Sequence, residues 1–415
     1  RNIDQQKDEQ YDRTDQLANA SVHAVLPPKR AASPALSSRE EPAITGQMSI
    51  PDTQSLAPVL DAEAMPPRHM YALRLWLSLI AFLIVAMILV GGATRLTDSG
   101  LSITEWEPIL GAIPPLSQAD WQEAFDAYKT IPEYVQVNQG MDLEGFKTIY
   151  WWEWAHRFLG RFIGIAFFLP FVTFWLAGYI TKTLQPHLLG LFVLGGVQGA
   201  LGWYMVKSGL VDRVDVSQYR LAAHFGVAVL LFGYTLWLIF DLGQTRREAA
   251  GSEAPAVVAG LVLLLVYVQL LAGALVAGID GGLGFNTWPL MNGALIPIGL
   301  GTAEPWHLNL FENPLTVQFY QRILGYAVVV ASVLQALLIS RRHGTTFLRG
   351  SAAALAALAL LQVLLGIWTL LRAVPIELGL AHQAGGILVF AAALYHFWRS
   401  LTGEAAARDQ TPARA

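Results

Sequence analysis

The chain contains no cysteine and carries little charge. The missing thiols exclude disulfides, iron–sulfur clusters and thiolate-ligated metal or heme. Any transition metal or heme must then be held by His, Met, Tyr or carboxylate side chains. Only 14% of the 415 residues are charged, against roughly 25% in soluble domains. So few charges cannot cover the surface of a soluble protein this long. A basic stripe is also lacking and the net charge is −4, which argues against a nucleic-acid partner. What the sequence does hold is apolar. Hydrophobic residues make up 54%, the mean hydropathy is +0.43, and 13 Trp suit interfacial aromatic belts.

Residues 1–65 differ from the rest. They are polar and proline-rich, lack the apolar stretch of a secretory signal peptide, and read as a disordered cytosolic tail. The tract opens on Arg1, and Met48-Ser49 offers an alternative start that leaves residues 1–47 outside the native chain. Eight apolar segments of spanning length follow, near 71–93, 149–179, 187–206, 219–240, 255–277, 316–339, 351–371 and 379–399. Basic residues cluster before the first span (Arg68, Arg74), in alternate loops (Lys182; Arg246 and Arg247; Arg341, Arg342 and Arg349) and at the end (Arg399, Arg408, Arg414). The positive-inside rule puts these loops and both termini in the cytoplasm. The opposite loops are poor in Lys and Arg, and 94–148 is acidic.

The two halves resemble each other. GGATRLTDSGLSITEWEPILGAIPP (91–115) matches AGALVAGIDGGLGFNTWPLMNGALIPIG (272–299), with Asp98 and Asp280, and Trp106 and Trp288, at one offset of 182. HRFLG (156–160) matches QRILG (321–325), VQGALG (197–202) matches LQVLLG (361–366), and LAAH (221–224) matches GLAH (379–382). Four spans per half give both halves the same orientation. The expected fold is all-α, with eight transmembrane helices as two pseudo-symmetric four-helix bundles. The division is 66–245, 246–402 and a short cytosolic tail at 403–415.

Three histidines lie at one depth. His156, His224 and His382 each sit a few residues into a span that begins on the non-cytoplasmic side, within roughly 10 Å of that surface. The repeat makes Gln321 the fourth equivalent position. Two His on two helices of one bundle can ligate a heme iron from both faces. A hydrogen-bonded core residue is the alternative for any one of them. Intramembrane polar groups are costly, and matched depth plus repetition favours heme. Glu153 precedes His156 by three residues and so shares its helix face. A carboxylate there suits proton transfer. Its repeat partner is Gln318, which separates the halves: chemistry in the first, electron relay or structure in the second. Arg157, Arg322 and, more weakly, Arg95 are candidates for binding propionates. His69, His187, His343 and His396 fall at cytoplasmic helix ends and read as interfacial.

These residues resemble a known family. GGATRLTDSGLSITEWEPILGAIPP, YWWEWAHRFLGR, LAAHF, ENPLTVQF and GLAHQAGG look like heme A synthase, over about 70–400. The absence of cysteine is similar to the alphaproteobacterial and mitochondrial branch. The resemblance implies an oxidoreductase that converts the C8 methyl of heme o to a formyl group, giving heme a for cytochrome oxidase. It implies Glu153 as the essential acid, and His156 and His224 as ligands of the substrate heme in the N-terminal half. Heme b in the C-terminal half would lie between His382 and the residue at 321, where the family pattern calls for His and this chain has Gln. Tyr320 and His307 are the nearby alternatives. A bacterial inner membrane is implied, with the mitochondrial inner membrane as the alternative.

The reaction so implied is two successive hydroxylations of one methyl, then dehydration. Electrons come from an external donor, since no flavin or nicotinamide motif is visible. Membrane lipid, heme o synthase and oxidase assembly factors are the expected partners, and a homo-oligomer is expected. Two rivals stand beside this reading. One is a di-heme b-type electron carrier; the other is a parallel-repeat transporter that uses its His as a proton relay.

Overall fold

The computed structural model describes residues 65–107, 110–212, 214–243, 254–341 and 346–402. The tails expected at 1–65 (Met65 apart) and 403–415 lie outside the described residues. So do the candidate start at Met48 and the basic loop positions Arg246, Arg247, Arg342, Arg408 and Arg414, with His343.

Eleven α-helices occur among the described residues, and eight are long and apolar enough to cross a membrane. The spans are α1 (Pro67–Leu96), α4 (Leu143–Leu176), α5 (Gln185–Asp212), α6 (Gln218–Leu242), α7 (Ala254–Gly278), α9 (Pro314–Arg341), α10 (Thr346–Leu371) and α11 (Ile376–Thr402). Three shorter helices, α2 (Gln118–Tyr128), α3 (Pro132–Gln136) and α8 (Gly281–Gly284), lie in the long connections. The protein is therefore an integral membrane protein. The only β pairing among the described residues is an isolated bridge between Met291 and Ala294.

Local chemistry sets the helix starts. Pro67 opens α1, where a missing N–H leaves no bond unmade. Ser117 and Asp120 form a capping box on α2, with bonds of 3.2 and 2.9 Å. Asp142 caps α4 by accepting from the Gly145 N–H at 2.8 Å. That cap starts α4 six residues before the apolar run expected at 149. Its 34 residues reach about 51 Å at the α-helical rise, well past a hydrocarbon core of about 30 Å. The extra turns bury Phe146 and Tyr150 against Trp121, Phe125 and Tyr128 of the 97–142 connection.

The spans form two four-helix groups, α1–α4–α5–α6 and α7–α9–α10–α11. In each group the second and fourth spans in chain order stand on a diagonal: α4 opposite α6, and α9 opposite α11. The groups meet where α1 and α6 pack on α7 and α11. A continuous apolar core fills this seam, with Leu77, Phe232, Val266 and Phe390 buried in it. One difference breaks the likeness. Helices α9 and α10 pack along one another, whereas α4 and α5 barely touch. The first group is open on that side. The long connections 97–142 and 279–313 share one face of the molecule, called here the loop face.

Candidate functional site

At the end of α1 the chain turns through Asp98, whose φ of 47° lies in the left-handed region. Its repeat partner Asp280 has a φ of 51°. Asp tolerates this conformation better than most residues. Arg95 ties the two turns together. It donates from Nη1 to Asp98 at 2.7 Å and from Nη2 to both carboxylate oxygens of Asp280 at 2.8 Å. A residue singled out as a propionate candidate is thus engaged between the two halves.

Beyond the first turn the chain folds back over α4. Glu153, 2% exposed, is the anchor. Its Oε2 accepts from Ser102 Oγ at 2.8 Å and from the Ile103 N–H at 2.7 Å. Its Oε1 accepts from Arg157 Nε at 3.0 Å and Nη2 at 2.6 Å. Arg157 continues to the carbonyls of Ile103 and Glu105, at 2.8 and 3.0 Å, and lies over the Trp106 ring. Arg161 adds a bond to Glu107 O at 2.7 Å. The second half repeats the design. Arg322 donates to Gln318 Oε1 at 2.9 Å and to the carbonyls of Phe285 and Thr287 at 2.7 and 2.9 Å. Phe285 and Thr287 lie at the repeat offset from Ile103 and Glu105. Gln318 Nε2 donates to Gly281 O at 2.8 Å, in the same connection. Both guanidiniums bind their loops, and only the first half has a carboxylate beneath.

Three residues after Glu153 and Gln318 come positions 156 and 321. His156 on α4 and His224 on α6 stand on diagonal helices. Each ring leans on a glycine of a neighbouring span. A Cβ at Gly91 of α1 would meet His156 Cε1 at 2.8 Å, and one at Gly202 of α5 would meet His224 Cε1 at 3.0 Å. The absent side chains are what admit the rings. Both Nδ1 atoms are buried without a hydrogen-bond partner among the described residues. Buried polar atoms are rarely left so. Two imidazoles on diagonal helices, each with an unmatched ring nitrogen, are the groups of this bundle that could hold a heme iron. In the second half His382 leans on Gly366, whose Cβ would meet Cε1 at 2.6 Å. The counterpart of Gly91 is Gly273, and a Cβ there would meet nothing within 4 Å. Gln321 does not bring a ring to that surface as His156 does to Gly91. Tyr320 donates its hydroxyl to Leu310 O at 2.8 Å, and His307 lies in a short 3-10 turn beside Trp306.

Sequence reasoning passed over three elements of this arrangement. Gln198 Nε2 lies 3.3 Å from His224 Nε2, and Gln362 Nε2 lies 3.0 Å from His382 Nδ1. These two Gln are repeat partners inside the matched VQGALG and LQVLLG segments. The glycine seats were readable at the same offsets. The carbonyl acceptors of Arg157 and Arg322 leave no mark in side-chain identity. The helix-end histidines divide. His69 stacks on Tyr179 with centroids 3.7 Å apart, and His187 is 2.6 Å from the Tyr234 hydroxyl. His396 departs from the interfacial expectation, because it is fully buried.

A second carboxylate lies in the 97–142 connection. Glu133, 4% exposed, accepts from the Tyr128 hydroxyl at 3.1 Å and from Asn138 at 3.3 Å. Burial pushes its carboxyl up to about 8, against the pull of the Tyr128 bond and with a further push from the Glu153 charge. Burial also raises the Tyr128 hydroxyl.

The chain is similar to known proteins over most of its length. A family model described as cytochrome oxidase assembly protein matches residues 74–394. A protein of Parvibaculum lavamentivorans named heme A synthase is 49% identical over 348 residues, 83% of this chain and 99% of its own. The heme A synthase of Azorhizobium caulinodans is 52% identical over 78% of this chain and 93% of its own length. That of Agrobacterium fabrum is 48% identical over 80% and 91%.

Proposed function

The chain belongs to the heme A synthase family of cytochrome oxidase assembly proteins, and from that premise we propose that it oxidises the C8 methyl of heme o to the formyl group of heme a. The observation that carries this reading is the buried carboxylate of Glu153, one turn from His156 and in one half only. The first half is the substrate half. His156 and His224 would hold the substrate's iron, and the loose contact between α4 and α5 suits a lipid-soluble porphyrin that enters and leaves sideways. The second half is closed along α9 and α10, which suits a resident heme b held through His382.

Bound iron supplies the redox chemistry at the methyl. The chain's own groups do the rest. Ser102, Ile103 and Arg157 fix both oxygens of Glu153, and Oε2 lies beside the Ser102 hydroxyl. A proton leaving the reacting carbon or its water passes to that oxygen and on through Ser102. Arg157 and Arg161 keep the 103–107 stretch lying over the site and limit water there. Two two-electron oxidations put two hydroxyls on one carbon, and loss of water leaves the aldehyde. Oxidant and electron donor come from outside the chain. The Lys and Arg distribution orients the loop face away from the cytoplasm. Heme o synthase, oxidase assembly factors and further copies of the chain are the partner classes.

The test is to extract the pigments of the purified protein and identify hemes b, o and a by chromatography. Wild type is expected to yield heme a when heme o is supplied. Glu153→Gln is expected to retain porphyrin and to make none. Normal heme a from that variant refutes the role of Glu153. Only heme b in both proteins favours a di-heme electron carrier.

A further inference from the structure

The second bundle carries a second polar level that the heme site does not use. Gln321 and His382 have counterparts 14 residues further along their helices, Gln335 on α9 and His396 on α11. Fourteen residues is close to four turns, so each pair keeps one helix face at about 21 Å separation. Both lie six residues before the helix end opposite the loop face, and Ser351 on α10 lies five residues from its start at that same face. Ser332 stands one turn above Gln335. All of these but Ser351 are almost wholly buried: His396 at 0%, Ser332 at 1% and Gln335 at 3% exposure.

Their polar atoms are poorly matched. Both amide atoms of Gln335, the hydroxyl of Ser332 and Nε2 of His396 have no partner among the described residues. Only His396 Nδ1 is satisfied, 2.8 Å from Ser351 Oγ. Buried polar groups are rarely left unmatched. Four atoms on two spans at one level mark a place for bound water, which supplies donors and acceptors together. There is a way in. Ser351 also lines a cavity of about 320 Å³ with Thr346, Gly350, Ala392 and Tyr395, at the bundle end. The first bundle lacks the feature. The repeat places Phe167, Pro170 and Leu238 at the positions of Ser332, Gln335 and His396, and His187, which pairs with Tyr234, at that of Ser351. Charged groups around the level lie nearer the helix ends: Arg399 over Phe347 and Trp398, Asp241 bonded to Trp398, and Arg349 two residues before Ser351.

We propose that Ser332, Gln335, Ser351 and His396 enclose an internal water site that admits protons into the second bundle from the face opposite the long loops. Water enters past Ser351, bridges the imidazole to the Gln335 amide, and reaches Ser332. His396 is the group that takes up and releases the proton. The site does not depend on how the hemes are assigned.

Exchange of the imidazole C2 hydrogen for deuterium, followed by mass spectrometry on the full-length protein in lipid nanodiscs, tests this. C2 exchange needs water and a passing proton at the ring. The His396 rate is expected within about tenfold of that of loop residue His307, despite complete burial. Ser332→Ala with Gln335→Leu is expected to slow His396 at least tenfold and leave His307 unchanged. A wild-type His396 rate a hundredfold below that of His307 overturns the proposal without any variant. Unchanged exchange in the folded double variant overturns it as well.

Discussion

Glu153 and Arg157 are joined by a 2.6 Å ion pair one turn apart on α4, and the same pair holds the 103–107 stretch against the helix. The repeat offers a natural comparison, since Gln318 and Arg322 keep the equivalent loop in place with an amide instead of a carboxylate. Glu153→Gln is therefore expected to fold, at a cost of about 1–3 kcal/mol for one mismatched donor. Arg157→Ala leaves a buried carboxylate unpaired and is expected to cost about 3–5 kcal/mol. Thermal unfolding of both variants in detergent checks the order. An Arg157→Ala protein as stable as Glu153→Gln contradicts it.

The glycine seats make a matched pair of substitutions. Gly91→Ala forces a methyl into the His156 ring, so the imidazole must move. Gly273→Ala, at the same place in the repeat, meets nothing within 4 Å. Heme bound per chain is expected to fall in the first variant and to stay unchanged in the second. The second is also expected to gain roughly 0.5–1 kcal/mol from helix propensity.

Gln321→His places an imidazole opposite His382, with Gly273 open to receive it. The expected result is a gain in heme per chain and a change in the reduced-minus-oxidised spectrum. An unchanged occupancy and spectrum sinks the assignment of 321 as the fourth ligand position.

Stability should depend on pH through Glu133. Its carboxyl titrates near 8 in the folded protein and near 4.3 when unfolded. Between these values the folded state holds the extra proton, so stability falls as pH rises, by about 1.4 kcal/mol per pH unit at most. Glu133→Gln is expected to flatten this slope between pH 5 and 8. Unfolding midpoints across that range supply the check, and an unaltered slope in the variant refutes it.

The spans were legible because each is a long run in which charge is nearly absent, and such runs need no partner to be recognised. The depth of His156 and His224 along their spans was legible because it follows from residue count. The start of α4 was not, since Asp142 and Phe146 are held by the 97–142 connection rather than by the bilayer. The roles of Arg157 and Arg322 were hidden for a different reason. Their acceptors are main-chain carbonyls more than 30 residues away, and any residue can supply a carbonyl. His396 was misplaced because nearness to a helix end says nothing about which way a ring faces.

Arg95 has one more implication. Its place in the second repeat is taken by Ala277, so a single cation serves both aspartate turns. A duplicated ancestor that paired with its own copy about a true two-fold axis would have needed that cation twice. With one cation for two turns, the two lobes are not interchangeable. The first lobe, expressed alone, still carries both halves of the clasp and could pair with itself; the second has only the acceptor. Fusion into one chain is what makes the unequal pair obligatory.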